Sequence, residues 1–498
     1  MELKKIVPSV AEIHGASPLA ASVLVQQVLG KGALDRSAGD VTVIIKGTFR
    51  EGGPESAGLV MATSPVSALP YYYGVAGSTL VHGPSVFKIA QGLGRASEWK
   101  WNNRALASLL ALGHTIGADT LHSDIRRIPA ATLVMHSAGQ TIEKSYTVAA
   151  EEREFLLAEV LEDQDALLRQ YLEQAGSRPA IALTAGLDSR LLVAAALHYG
   201  IKPVTLTFGP SDSTDVRLAG VISRDFFLEH QSVVLTAAEQ LHPSVLGDLA
   251  TTAGGTVRVD HLAHAAFLRK VGLEQFSSFT SSLNADCVRS QYADDSLGGM
   301  YRRFRGSRHM LGQVIAKNLA EVPGSLVERL KTGWEELLVA VAEGDRSEPL
   351  GGLARYHLEE KARHEYGALL GLYSSKGKVW SPFTDLRYAQ LVRRLPVRMK
   401  KGFLFHRLAI QYFFPGLVDY PVNGEETLLR DYRGKVGVMG PEAVRGGVDV
   451  MGDPLLRELV MDSRGLEDWC TKAERERMLA GRSMNGVGML LSVVAARW

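Results

Sequence analysis

The stretch IALTAGLDSRLL, residues 181–192, sets a carboxylate and two hydroxyls around an Ala-Gly turn behind an apolar run. A strand, a small-residue turn and a helix in that order let backbone N–H groups approach an anion, and the helix adds its positive N-terminal end. Ala185 and Gly186 supply the close approach, and Thr184 and Ser189 supply hydroxyl donors for phosphate oxygens. Asp188 would repel a phosphate directly but suits a Mg²⁺ that bridges a polyphosphate. The turn therefore reads as a nucleotide cradle with a metal ligand. The local alternative is a helix N-cap formed by Asp188 or Thr184. A Walker A loop is excluded, because no Gly-Lys-Ser/Thr follows.

The elements that must position this turn are legible around it. Beyond about residue 150, apolar β runs at 181–184, 203–209 and 231–236 alternate with helical patterns at 189–200 and 214–227. That alternation predicts βαβ units and a parallel sheet, whose strand carboxyl ends are where ligands bind. A long acidic amphipathic helix is predicted over 149–176, with further helix over 313–342, 353–374 and parts of 384–413. The last stretch, 425–498, mixes Gly-rich loops with short helices. Before residue 148 the texture differs: β runs at 41–49, 58–63, 68–74 and 78–83, a helix at 102–113, then a turn and strand within 125–136. The boundary near 148 rests on this change of composition.

Bulk composition narrows the function. The chain has 498 residues, 46% apolar and 22% charged, with a net charge of +1. That balance gives no electrostatic case for nucleic acid or an anionic membrane. Two cysteines, Cys287 and Cys470, exclude a disulfide framework and a Cys-rich zinc site. The N-terminal segment lacks the apolar core of a signal peptide, and no run reaches the roughly 18 apolar residues of a spanning helix. A cytoplasmic protein is expected. His261 and His264 share one helix face, but no third zinc ligand stands near them in sequence. Arg302, Arg303, Arg305 and Arg308 read as a solvated face, with contact to a carboxylate or pyrophosphate as the alternative.

The order of blocks along the chain resembles the asparagine synthetase-like ATP-pyrophosphatases, a family that includes β-lactam-forming and lasso-peptide-forming synthetases. The family's loop reads Ser-Gly-Gly-x-Asp-Ser. Here Thr184 stands for the Ser, Ala185 for the first Gly, and Gly186, Asp188 and Ser189 match. The resemblance implies that Leu183 to Ser189 binds ATP's phosphates, that Asp188 holds Mg²⁺, and that Leu206, Thr207, Phe208 and Gly209 contact adenine. A second family loop, Ser-Gly-x-Gly-(Ala/Ser)-Asp-Glu, is matched by Ser281, Ala285, Asp286 and, after it, Tyr292. Ser282 and Asn284 replace its glycines, Leu283 takes its variable site and Cys287 replaces its Glu. Asn tolerates positive φ better than most residues, so Asn284 is a bearable substitute. The resemblance makes Asp286 the second Mg²⁺ ligand and Ser281 and Ser282 ATP contacts.

A third block, SPFTDLRYAQLVRRLPVRMK (381–400), resembles the family's Pro-Phe-Leu-Asp segment, with Asp385 also able to cap the helix that follows. Lys400, Lys401, His406 and Arg407 come after it, as basic residues do in this family. ALPYYYG (68–74) and the stretch 110–134 resemble strands of the family's glutaminase domain. That domain's nucleophile is an N-terminal Cys, whereas position 2 is Glu and no Cys precedes 287, so glutamine hydrolysis by that route is excluded.

Departures concentrate on chemistry. Lys378 and Trp380 stand where asparagine synthetases have Glu and Arg, Leu283 stands where β-lactam-forming members have Tyr, and Val422 or Asn423 stands near a family Lys. Lys378 is the expected replacement cation, acting beside Asp188 and Asp286. The fold implied is α/β: a degenerate glutaminase-type α/β sandwich over 1–147 and a parallel α/β ATP-pyrophosphatase domain over 148–498. The implied activity is ATP- and Mg²⁺-dependent adenylation of a carboxylate and its coupling to an amine, in specialised-metabolite or peptide biosynthesis. The rival is a non-catalytic descendant that binds nucleotide or a partner. Expected partners are small-molecule or peptide carboxylates and amines, with a homodimer left open and nucleic acid and membrane excluded.

Overall fold

The computed structural model describes residues 7–15, 41–49, 56–145, 155–422 and 453–491, with short gaps inside the last three ranges. In chain order the strands are β1 (Val7–Gly15), β2 (Val41–Phe49), β3 (Ser56–Thr63), β4 (Tyr72–Ala76), β5 (Thr79–Gly83), β6 (Ile125–Arg127), β7 (Thr132–Ser137) and β8 (Gln140–Ser145). Then follow β9 (Pro179–Ala182), β10 (Val204–Phe208), β11 (His230–Val233), β12 (Ser278–Thr280) and β13 (Val379–Trp380). The protein is mixed α/β, with one parallel sheet and two antiparallel ones.

The parallel sheet has the order β11-β10-β9-β12-β13. The chain runs outward from β9 through β10 to β11, then returns to the other side of β9 for β12. The order thus reverses at β9, and the crevice between the carboxyl ends of β9 and β12 is the topological switch point. Thr280 pairs with Ile181, so the segments leaving the two strands start level. Both faces of the sheet are covered, as parallel sheets require. Ile181 and Leu183 pack with helices Leu157–Glu173, Leu187–His198 and Leu404–Phe413 on one face. Ala180, Leu206 and Phe279 face the other core, built from Leu249, Phe267, Leu311 and Trp334.

The antiparallel sheets have the orders β1-β2-β3-β7-β8 and β5-β4-β6. Met61 and Val134 of the first pack against Tyr71, Tyr73 and Ile128 near the second. Helix Asn103–Leu112 is capped by the Asn102 side chain, which accepts from the Arg104 and Ala105 amides. Every residue from Ala105 to Leu112 is buried, in the same core as Leu249, Phe267, Leu311 and Trp334. Residues before and after 148 therefore share one apolar interior. The proposed boundary itself lies outside the described residues.

Several element ends differ from the sequence expectation for local reasons. β9 stops at Ala182 and the next helix begins at Leu187, so Leu183 to Gly186 form the turn. β11 ends at Val233 because Thr236 and Glu239 make a reciprocal capping box that starts helix Ala237–Gln240. The helix expected over 353–374 is continuous but changes winding: its middle, His357–Tyr366, is a π-helix between α-helices Gly351–Tyr356 and Gly367–Ser374. No helix among the described residues is long and apolar enough to cross a membrane.

Candidate functional site

The turn after β9 is knitted by its own side chains. Thr184 N–H donates to Ser189 Oγ at 3.0 Å, the two hydroxyls lie 3.0 Å apart, and Gly186 N–H donates to Thr184 Oγ1 at 3.1 Å. Asp188 does not cap the helix: Gly186 is the N-cap, with no side-chain cap bond. Asp188 instead sits in the first helical turn with its carboxylate available to the crevice side chains. The Ala185 amide donates to an anionic oxygen, Asp215 Oδ1, at 2.8 Å. Beneath the turn lies Arg190, fully buried, whose guanidinium donates to Ala185 O at 3.1 Å and to Tyr420 O and Pro421 O at 2.7 Å each. That guanidinium ties the turn to residues 420–421, next to Val422. Asn423 lies outside the described residues.

The segment after β12 is held by neighbours. Ser281 N–H donates to Trp380 O at 2.9 Å, and Ser281 Oγ accepts from Leu283 N–H at 3.2 Å. Asn284 has φ +70°, a left-handed conformation that Asn adopts more readily than most residues. Its Nδ2 donates to Phe383 O at 2.8 Å, and Tyr388 Oη donates to Ala285 O at 3.1 Å. The block 381–400 thus serves as a brace for this segment. Asp385 caps helix Leu386–Arg394 through the Arg387 amide and is also bound by Tyr171 Oη at 2.9 Å, so it takes no part in the crevice.

The two carboxylates are each met by an aromatic or imidazole side chain. His406 Nε2, on helix Leu404–Phe413, lies 3.2 Å from Asp188 Oδ1 and is fully buried. Tyr366 Oη donates to Asp286 Oδ2 at 2.7 Å, and His357 Nε2 stands 3.8 Å from Asp286 Oδ1. Burial pushes the Cys287 thiol well above its usual range; Asp286 and Asp188 push the same way, and Lys400 opposes them. Burial raises the Tyr366 phenol, and Asp286, Glu365 and Asp188 raise it further. Both carboxylates therefore act on the same two groups. The register of β9 and β12 places Asp188 and Asp286 after neighbouring strand ends, and the charge of Lys400 acts on Cys287 as well.

Leu206 to Gly209 lie at the end of β10, on the side of β9 away from β12. Leu206 O accepts from Leu183 N–H at 2.9 Å, and Thr207 Oγ1 donates to Leu183 O at about hydrogen-bond contact. Gly209 has φ +147°, which only glycine adopts freely, and its N–H donates to Val233 O at 3.0 Å. The Phe208 ring stacks on Phe267 at 4.8 Å and meets the edge of His264 at 4.9 Å. His264 is hydrogen-bonded to Tyr373 Oη, and His261 is buried. His264 thus belongs to an aromatic wall beside Phe208, and among the described residues no group of three or more metal-ligating side chains is formed.

Lys378 enters the sheet from the end opposite the strand ends that Asp188 and Asp286 follow. It stands one residue ahead of β13, at the amino end of the sheet, where its carbonyl accepts from Phe279 N–H at 2.8 Å. Its side chain is exposed, with the ammonium 4.8 Å from the Trp380 ring centroid. Arg308 is exposed on helix Leu297–Leu319, and the side chains of Arg302, Arg303 and Arg305 lie outside the described residues, as does Tyr292.

The donor set fits Mg²⁺ brought in with a polyphosphate. Mg²⁺ takes one or two protein carboxylates and completes its octahedron with phosphate oxygens and water. Here two carboxylates lead from neighbouring strand ends, and one oxygen of each suffices for a monodentate ligand. Among the described residues no group of three or more His, Cys, Asp or Glu is placed to hold an ion by itself. Three groups of this site escape sequence reasoning: Arg190, Tyr366 and His357. Arg190 has no role in the sequence reading beyond lying in the helix predicted over 189–200, and the other two lie in a helical pattern far along the chain. No protein-family model matches the chain, and no curated protein matches it significantly.

Proposed function

We propose that this chain is an ATP-dependent, AMP-forming amide synthetase of the asparagine synthetase-like kind, working without glutamine hydrolysis. One observation carries the proposal: Asp188 and Asp286 follow neighbouring parallel strands that leave the sheet level, on either side of its switch point. In this reading residues 1–147 are a degenerate glutaminase-type region and 148–498 the synthetase. ATP lies along Leu183 to Ser189, its adenine toward Leu206 to Gly209, with Ser281 and Ser282 on the phosphate side. Asp188 and Asp286 would hold Mg²⁺, which supplies charge neutralisation to the polyphosphate when bound.

The substrate carboxylate attacks the α-phosphorus, forming an acyl-adenylate and releasing pyrophosphate. An amine then attacks the acyl carbon and releases AMP. The protein's contribution is positioning and preorganised charge. Lys400, whose charge acts on Cys287 beside Asp286, is the candidate cation to face the departing pyrophosphate. Its location makes it a better candidate for that role than Lys378.

A second reading, a nucleotide- or partner-binding descendant without turnover, is favoured by one specific contact. Asp215 already occupies the Ala185 amide that a phosphate would use. Pyrophosphate release from Mg²⁺-ATP, assayed over a panel of carboxylic acids with hydroxylamine as acceptor, separates the two. The expected outcome is acid-dependent release that falls about 100-fold or more in Asp188→Asn. Nucleotide binding without release under any acid supports the descendant, and full activity in Asp188→Asn sinks the site assignment.

A further inference from the structure

The π-helix His357–Tyr366 joins the carboxylate crevice to the strand-rich N-terminal region. His357 and Tyr366 are nine residues apart, and both reach Asp286. In an α-helix nine residues make about two and a half turns, which sets them on opposite faces. The wider i→i+5 winding covers the same nine residues in about two turns, which sets them on one face. The unusual winding is thus what aims both side chains at Asp286.

The opposite face is bolted to residues 114–128. Tyr356 Oη and His114 Nε2 share a hydrogen bond of 2.8 Å, and His364 Nδ1 and Thr115 Oγ1 share one of 3.1 Å. Glu360 Oε2 accepts from Gly117 N–H at 2.7 Å. Two arginines exchange backbone contacts: Arg127 Nη2 donates to Arg363 O at 2.9 Å, and Arg363 Nη2 donates to Ile128 O at 2.7 Å. His114, Thr115, Arg127, Arg363 and His364 are all buried. Polar groups buried in this way have few alternative partners, so their geometry is strongly constrained.

We infer that the N-terminal region is a positioning element for Asp286, acting through the π-helix, with Tyr366 orienting the carboxylate and Thr115 fixing the register of the helix. The inference rests on reading Asp286 as a metal ligand. It gives the region before 148 a task that the missing Cys nucleophile does not supply. A group hydrogen-bonded to a metal ligand typically changes metal affinity 10–100-fold when it is removed.

Two measurements test it. In calorimetric titrations with the non-hydrolysable analogue α,β-methylene-ATP, Tyr366→Phe weakens the Mg²⁺-dependent affinity about 10-fold. Thr115→Val weakens it by a smaller factor, and affinity in EDTA stays unchanged in both. In the double variant the two losses are not additive, because Thr115 reaches Asp286 through the helix that carries Tyr366. Equal losses with and without Mg²⁺, or fully additive ones, overturn the positioning role. The second measurement needs no nucleotide. Hydrogen exchange of residues 281–288 is faster in Thr115→Val by about 5- to 10-fold, the equivalent of one buried hydrogen bond, and is restored in Thr115→Ser. Unchanged exchange there overturns the link. A wild-type chain that binds no analogue sinks the proposed function instead, and the exchange result still decides whether Thr115 governs the Asp286 segment.

Discussion

The two segments that bring carboxylates to the crevice are built in opposite ways. The turn after β9 is closed by residues within it: Thr184, Gly186 and Ser189 satisfy one another, and Arg190 fastens it from below. The segment after β12 makes short-range bonds too, from Leu283, Ala285 and Cys287 N–H, but its carboxylate, its left-handed residue and the Ala285 carbonyl are held by Phe383, Tyr388, His357 and Tyr366, all from 70 or more residues away in sequence. One is a local motif that arrives formed, and the other is a product of tertiary packing. Substitutions should therefore be felt through different partners in the two segments.

The largest expected effect removes the fastening beneath the first turn. Arg190→Met leaves three buried carbonyls without their donor, at a cost of about 3 kcal/mol or more, read from the urea midpoint. Next comes the left-handed residue of the second segment. Asn284→Ala forces Ala into positive φ and removes the bond to Phe383, costing about 2 kcal/mol. Asn284→Gly loses only the bond and costs about 1 kcal/mol. Equal losses in the two thermal melts would mean that φ is unimportant there.

A pH effect reaches the second segment through its support. Burial depresses the His364 imidazole well below its ordinary 6.5, and Arg127, Arg363 and His114 add to this, with Glu360 Oε2 3.5 Å from its Nε2. Below pH 6.5 the unfolded chain takes up a proton that folded His364 refuses. Stability is therefore full above 6.5 and falls as pH drops below it, by at most about 1.4 kcal/mol per pH unit for this group. Urea titrations at pH 7.5 and 5.0 measure the slope, and His364→Gln is expected to flatten it. His122 and His230, also depressed by burial, contribute in the same direction. Smaller still is Tyr388→Phe, which removes one bond to Ala285 O for about 1 kcal/mol in the same assay. Smallest is Thr184→Ser, within about 0.5 kcal/mol because the hydroxyl is kept.

What the sequence made legible follows the same division. The strand, turn and helix around Asp188 are encoded within a dozen residues, and β2, β10 and helix Asn103–Leu112 were readable from apolar spacing and caps. The positive φ of Asn284 was readable only by setting the segment beside a family loop that has Gly at that place. The location of Lys378 was not, because β13 is two residues long and carries no period of its own. Nor was the winding of His357–Tyr366, since a π-turn conforms to the same coarse apolar pattern as an α-turn and is selected by packing. The bridge from Thr115 to His364 spans 249 positions and has no local trace.

The buried Arg190 guanidinium also has a meaning in time. Its acceptors Tyr420 and Pro421 lie 230 and 231 positions further on. At ribosomal rates of about 5–20 residues per second, the interval between making the cation and making its partners is on the order of 10–50 s. During synthesis the turn can collect its hydroxyl contacts but keeps a hydrated charge beneath it until the strand order, the π-helix and residues 420–421 have all emerged. The cradle is among the earliest local shapes the chain can take and among the last to be sealed.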